Sequence, residues 1–143
     1  MDIALDMTAF DQAKSGRITG PIWLRHKDIE FPERGWNDFP VIVLSWWLRN
    51  VTHLADGTTA LCHFMDGPFE FNVSKVGSGL CQVQLVEQRA HTSKLLSEFM
   101  ADESEFITAL RTAAGTVLSE CSRRGWTGQD IERLRESAHA GRS

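Results

Sequence analysis

Three cysteines and five histidines are the side chains in this 143-residue chain best suited to hold a metal ion or activate a nucleophile. Their spacing argues against both roles. Cys62 and His63 are neighbours in a segment that reads as a strand, so their side chains should point to opposite faces. A site built from His53, Cys62 and Cys81 can be drawn, but it lacks the short ligand spacing of zinc motifs. His26, His91 and His139 are scattered, and Cys121 stands alone. No Gly-x-Ser-x-Gly elbow and no cysteine-nucleophile signature occurs. Gly77-Ser78-Gly79 is too short to cradle a phosphate and has no Lys-Ser or Lys-Thr after it, so it reads as a hairpin turn. No catalytic residue, metal or cofactor is therefore expected. Among the carboxylates, Asp102, Glu103 and Glu105 stand where a helix starts, and its positive end accounts for them. Glu30, Glu33 and Asp38 surround Trp36 in an aromatic loop where no structural duty is legible, which makes the group a candidate for binding.

The elements that must position these residues follow from periodicity and turn chemistry. Residues 1–20 are hard to assign, although Ile3 and Leu5 could begin a strand and Ser15-Gly16 marks a turn. Alternation of Ile29 and Phe31 with Asp28 and Glu30 predicts a half-exposed strand ending at Pro32. A loop follows to Trp36, with Asn37 or Asp38 placed to cap a helix that Pro40 enters in its first turn. That helix is expected to run to Leu54 and end at Gly57, with Ser45, Arg49, Thr52 and Asp56 as its polar stripe. Trp46 and Trp47 are read as core residues, one of them at the edge of the apolar face. Period-two patterning from Thr58 to Gln88, broken at Asp66-Gly67-Pro68 and Gly77-Ser78-Gly79, predicts an antiparallel meander. Residues 90–100 fit a helix or a fourth strand equally. Asp102 with Glu105 then opens the strongest helix, closed by Gly125, and Thr127 can cap a short last one carrying Ile131 and Leu134.

The fold class expected is α+β. A meander of three to four strands is preceded by one helix and followed by two, packed on one face, in a single domain over residues 1–143 whose tail from 138 frays. The sheet's other face would then be open to a partner. A net charge of −4 disfavours a nucleic-acid binder. No apolar run approaches the roughly 18 residues of a membrane span. Acidic residues near Met1 and three cysteines without a close-spaced pair suit a cytoplasmic protein.

The strings Phe31-Pro32, Gly35-Trp36, Asp38-Phe39 and Trp46-Trp47-Leu48 are followed by Phe64-Met65-Asp66-Gly67-Pro68-Phe69. Cys121, Gly125-Trp126 and Asp130-Ile131 close the pattern. Together they resemble small bacterial cytoplasmic proteins, some of which look like immunity proteins of polymorphic toxin systems. The resemblance covers roughly residues 29–134 and carries no catalytic residues. It implies stoichiometric binding of a cognate toxin, one that is basic if complementary charge guides the encounter. Glu30, Glu33, Trp36, Asp38, Asp66 and Glu70 are the expected contacts. The alternative is a small-molecule-binding domain or enzyme with an aromatic pocket between sheet and helices, where Cys62, His63 and Asp66 would matter. A homodimer through the open sheet face is a third option.

Overall fold

The N-terminal third, which local patterning left mostly unassigned, is a small antiparallel sheet organised around one long strand. In the computed structural model, which describes residues 1–139, β1 (Asp2–Leu5), β2 (Asp11–Gln12), β3 (Ile18–His26), β4 (Ile29–Phe31) and β5 (Asn37–Asp38) form this unit. Every other strand pairs with β3: β1 along Ile22–Arg25, β2 along Ile18–Thr19, β4 along Leu24–His26 and β5 along Gly20–Pro21. The run from Gly20 to Leu24 is buried on both faces, so it shows no polar–apolar alternation to read. Gly20 permits one close contact: a Cβ there would lie 2.2 Å from the Phe10 ring. The turn from β3 to β4 takes Lys27 to a φ of 56°.

Helix α1 (Pro40–Thr52) crosses the middle of the molecule. Of its polar stripe only Ser45 is buried, while Arg49 and Asp56 are exposed and Thr52 is half-buried. Val41, Val43, Leu44, Ser45, Trp47, Leu48 and Val51 are all buried, because α1 packs against β3 and against the sheet and helices that follow. The apolar face is therefore wide, and only a narrow strip with Trp46, Arg49 and Asn50 is left exposed. Pro40 is its first residue, and the cap position is Phe39, which has no side-chain bond to offer. The C-cap is His53. Gly57, with φ 78°, instead turns the chain into the next strand, its N–H donating to the Lys75 carbonyl.

The meander is as expected and has a fourth strand: β6 (Thr59–His63), β7 (Phe69–Gly77), β8 (Leu80–Gln88) and β9 (Ser93–Asp102), paired in that order and all antiparallel. Ala60, Cys62, Phe71, Val73, Cys81, Val83 and Leu85 face the core. Leu61, Leu95 and Met100 remain exposed. The β9 segment mimicked helical spacing because a register shift opposite Leu85 and Val86 lets apolar residues fall on both faces. On edge strand β6, the carbonyls of Leu61 and His63 accept from Asn50 Nδ2 (2.9 Å) and Trp47 Nε1 (2.8 Å). Side chains of α1 thereby blunt that edge.

Helix α2 (Glu103–Arg123) begins as its capping signal requires, Asp102 Oδ1 accepting from the Glu105 N–H at 3.1 Å. It ends in a Schellman arrangement, with Gly125 at φ 70° and the Trp126 N–H donating to the Cys121 carbonyl at 2.9 Å. Arg124 extends beyond the helix end. Its Nη1 and Nη2 donate to the carbonyls of Phe10 and Met7, each at 2.7 Å, and its guanidinium lies 4.8 Å from the Trp126 ring centroid. Helix α3 (Gln129–His139) packs chiefly on α1 and α2, forming a second layer instead of covering the sheet. Its cap position is Gly128, whose carbonyl accepts from the Glu132 N–H, and not Thr127. Of the tail expected to fray from Ala138, Ala138 and His139 still belong to α3, and the rest lies outside the described residues. Among the described residues no helix is long and apolar enough to cross a membrane.

Candidate functional site

Two loops supply three of the six residues suggested for partner contact, Glu33, Trp36 and Asp66, and one carboxylate ties them together. The first joins β4 to β5 and carries Glu33 and Trp36; the second joins β6 to β7 and carries Met65, Asp66 and Gly67. Asp38 Oδ1 accepts from the N–H groups of Phe39 (2.8 Å) and Met65 (3.1 Å). Asp38 Oδ2 accepts from Trp36 Nε1 (2.9 Å) and the Asp66 N–H (3.1 Å). Four donors converge on a side chain that is 1% exposed. Asp38 is thus a clasp between the loops and not a contact residue, because its oxygens are turned inward and fully engaged. Asp38 does not cap α1, because it ends β5 one residue before the cap position at Phe39.

Below the clasp the aromatic rings pack edge to face. Trp36 lies 5.5 Å from Phe69 and 6.4 Å from Phe64, and Phe31 lies 5.7 and 5.9 Å from the same two rings. Gly67, at φ 72°, brings its backbone against the Trp36 ring, where an added Cβ would sit 3.0 Å away. That position needs glycine both for its dihedral and for the close approach. The result is a preorganised pair of loops with Glu33 and Asp66 exposed and Trp36 partly so. Met65, whose role the patterning did not suggest, adds an exposed apolar side chain beside Asp66. Glu30 is only partly exposed and accepts from Arg34 Nε at 2.7 Å, so its charge is already matched.

Glu70 also departs from the expectation. It is 3% exposed, with Gln88 Nε2 donating to its Oε1. His63 Nδ1 lies 3.1 Å from its Oε2, close enough for an ion pair with a protonated imidazole but out of line for a hydrogen bond. Alternation along β7 suggested a solvent face; the cross-strand neighbours of Glu70, His63 and Val86, cover it instead.

The residues named for an enzyme or small-molecule site are not brought together. Cys62 is fully buried in the core while His63 is exposed, on opposite faces as adjacent strand residues must be. Burial, and secondarily the charge of Glu70, pushes the Cys62 thiol far up, away from the thiolate form. Cys81 and Cys121 are raised as well, again mainly by burial. His53 is exposed, apart from buried Cys62 and Cys81, and no group of three or more His, Cys, Asp or Glu converges among the described residues. Between sheet and helices, where an aromatic pocket was conceivable, the rings fill the space: Trp47 lies 4.9 Å from Phe71 and 5.0 Å from Phe64, and Phe71 lies 6.2 Å from Phe106.

No family model, curated protein or solved structure matches the chain.

Proposed function

We propose that this protein is an immunity-type inhibitor that binds and neutralises a cognate bacterial toxin stoichiometrically. The observation that carries the reading is the Asp38 clasp, which rigidly joins two loops bearing Glu33, Asp66, Trp36 and Met65. A rigid surface loses little entropy on binding. Its composition, an aromatic and a methionine with carboxylates around them, suits an interface with an apolar centre and a charged rim. The exposed carboxylates and the net charge of −4 favour a basic partner. The test is growth rescue by this chain against the toxin encoded beside its gene, with pull-down of the complex. Reversing the exposed charges in Glu33→Lys with Asp66→Lys should abolish rescue while the protein stays folded. Failure of the unaltered chain to rescue against any adjacent toxin sinks the proposal.

Self-association through the open face of the meander is a second reading, favoured by exposed Leu61, Leu95 and Met100. Light scattering that reports a monomer at high concentration removes it.

A further inference from the structure

Trp46 and Trp47 are adjacent in sequence, yet Trp47 is fully buried and Trp46 is 36% exposed. Trp46 borders a cleft between α1 and α3. One lobe, of about 180 Å³, is lined by Ile42, Ser45, Trp46, Arg49, Asp130 and Arg133. A neighbouring lobe, of about 350 Å³, shares Ser45, Arg49 and Arg133 and adds Glu136 and Ser137. Arg49 and Arg133 line both lobes, and among the described residues neither is held in an ion pair, whereas Arg123, Arg124 and Arg135 each pair with a glutamate. At the cleft floor the buried hydroxyls of Ser45 and Ser137 lie 3.0 Å apart. Two hydroxyls carry two protons, and the bond between them uses one. The other has no acceptor among the described side-chain bonds and is available to a ligand.

From these features we infer that the cleft binds an α-carboxylate whose residue has an apolar side chain and an adjacent N–H, as in the C-terminal residue of a peptide or a free apolar amino acid. The guanidinium forks of Arg49 and Arg133 match a carboxylate, and the spare serine proton adds a third donor. Ile42 and Trp46 form the apolar wall for the side chain. Asp130 and Glu136 would repel a simple anion, but they complement the N–H or ammonium that neighbours an α-carboxylate. The smaller lobe falls below the roughly 300–1,000 Å³ of pockets that enclose larger ligands, which suits a single residue. This inference does not rest on toxin binding.

The test follows the Trp46 indole N–H signal in the full-length protein by NMR, assigned with Trp46→Phe, during titration with acetyl-Gly-Leu, its C-terminal amide and free leucine. Acetyl-Gly-Leu should shift the signal saturably and the amide should not. Arg49→Gln with Arg133→Gln, both at exposed positions, should weaken binding by about tenfold or more. Tighter binding of free leucine than of acetyl-Gly-Leu assigns the site to a free amino acid; weaker binding assigns it to a peptide terminus. Equal shifts by acid and amide overturn the inference. So does an unchanged titration in the arginine variant, or no saturable shift at millimolar concentrations.

Discussion

Replacing Asp38 with asparagine tests whether one carboxylate holds the two loops together. In the native protein each oxygen accepts two N–H donors, one from Trp36 or Phe39 and one from the 65–66 segment. An asparagine keeps one oxygen and turns an NH₂ group toward the other two donors, so either choice of amide orientation loses two bonds. Hydrogen bonds to a charged acceptor contribute about 1.5 kcal/mol each at the lower end, or about 3 kcal/mol for two. Burying a neutral amide costs less than burying a carboxylate, which offsets part of that loss. The expected net destabilisation is about 2 kcal/mol, a sizeable fraction of the ~5–15 kcal/mol available to a domain but too little to unfold it. A chain of this length should lose roughly 4–8 °C in Tm. Urea unfolding followed by tryptophan fluorescence should show a lower midpoint at unchanged slope. Hydrogen exchange should report faster opening at Met65 and Asp66 than elsewhere. Asp66→Asn, exposed and outside the clasp, is the control and should change stability by less than about 0.5 kcal/mol. If Asp38→Asn behaves like that control, with protection at Met65 and Asp66 intact, the clasp does not govern the loops.

Arg124→Ala should cost about 2 kcal/mol by releasing the carbonyls of Met7 and Phe10, and amide exchange in residues 4–12 should accelerate first. The three buried thiols should resist iodoacetamide at pH 8 over a period that fully labels the denatured chain; labelling of the native protein at the same rate would contradict their burial. His26, stacked 4.0 Å from the Phe99 ring, has its pKa lowered from 6.5 by burial first, then by the charges of the N-terminus and Lys27. Between its folded and unfolded values the unfolded chain binds more protons. The His26 contribution is therefore complete above pH 6.5 and lost as pH falls from there toward the folded value. Comparing denaturation of the wild type and His26→Phe across this window should isolate that loss, and NMR titration of His26 should give a pKa below 6.5.

Local chemistry made the meander and α2 readable. Turn glycines, period-two alternation and the Asp102 cap act within a few residues, so their signals survive without the rest of the fold. The β3 spine was harder to read because a strand buried on both faces loses its alternation, and β9 because a bulge let its apolar side chains mimic a helix. Ser45 departs from the otherwise solvent-facing stripe of α1 for a related reason: Ser137, ninety-two positions later, meets it in the interior.

The candidate site divides in the same way. Composition and turn residues are local properties, so Phe31 to Phe39 and Phe64 to Phe69 are legible as aromatic turns carrying Glu33, Asp38 and Asp66. Which carboxylates face outward depends on distant parts of the chain. Asp38 takes two of its four donors from residues 27 and 28 positions away, and Glu70 is covered by side chains from two other strands. Burial and hydrogen-bond satisfaction depend on what arrives from elsewhere in the chain, so similar acidic residues became a clasp, a covered side chain and an exposed surface.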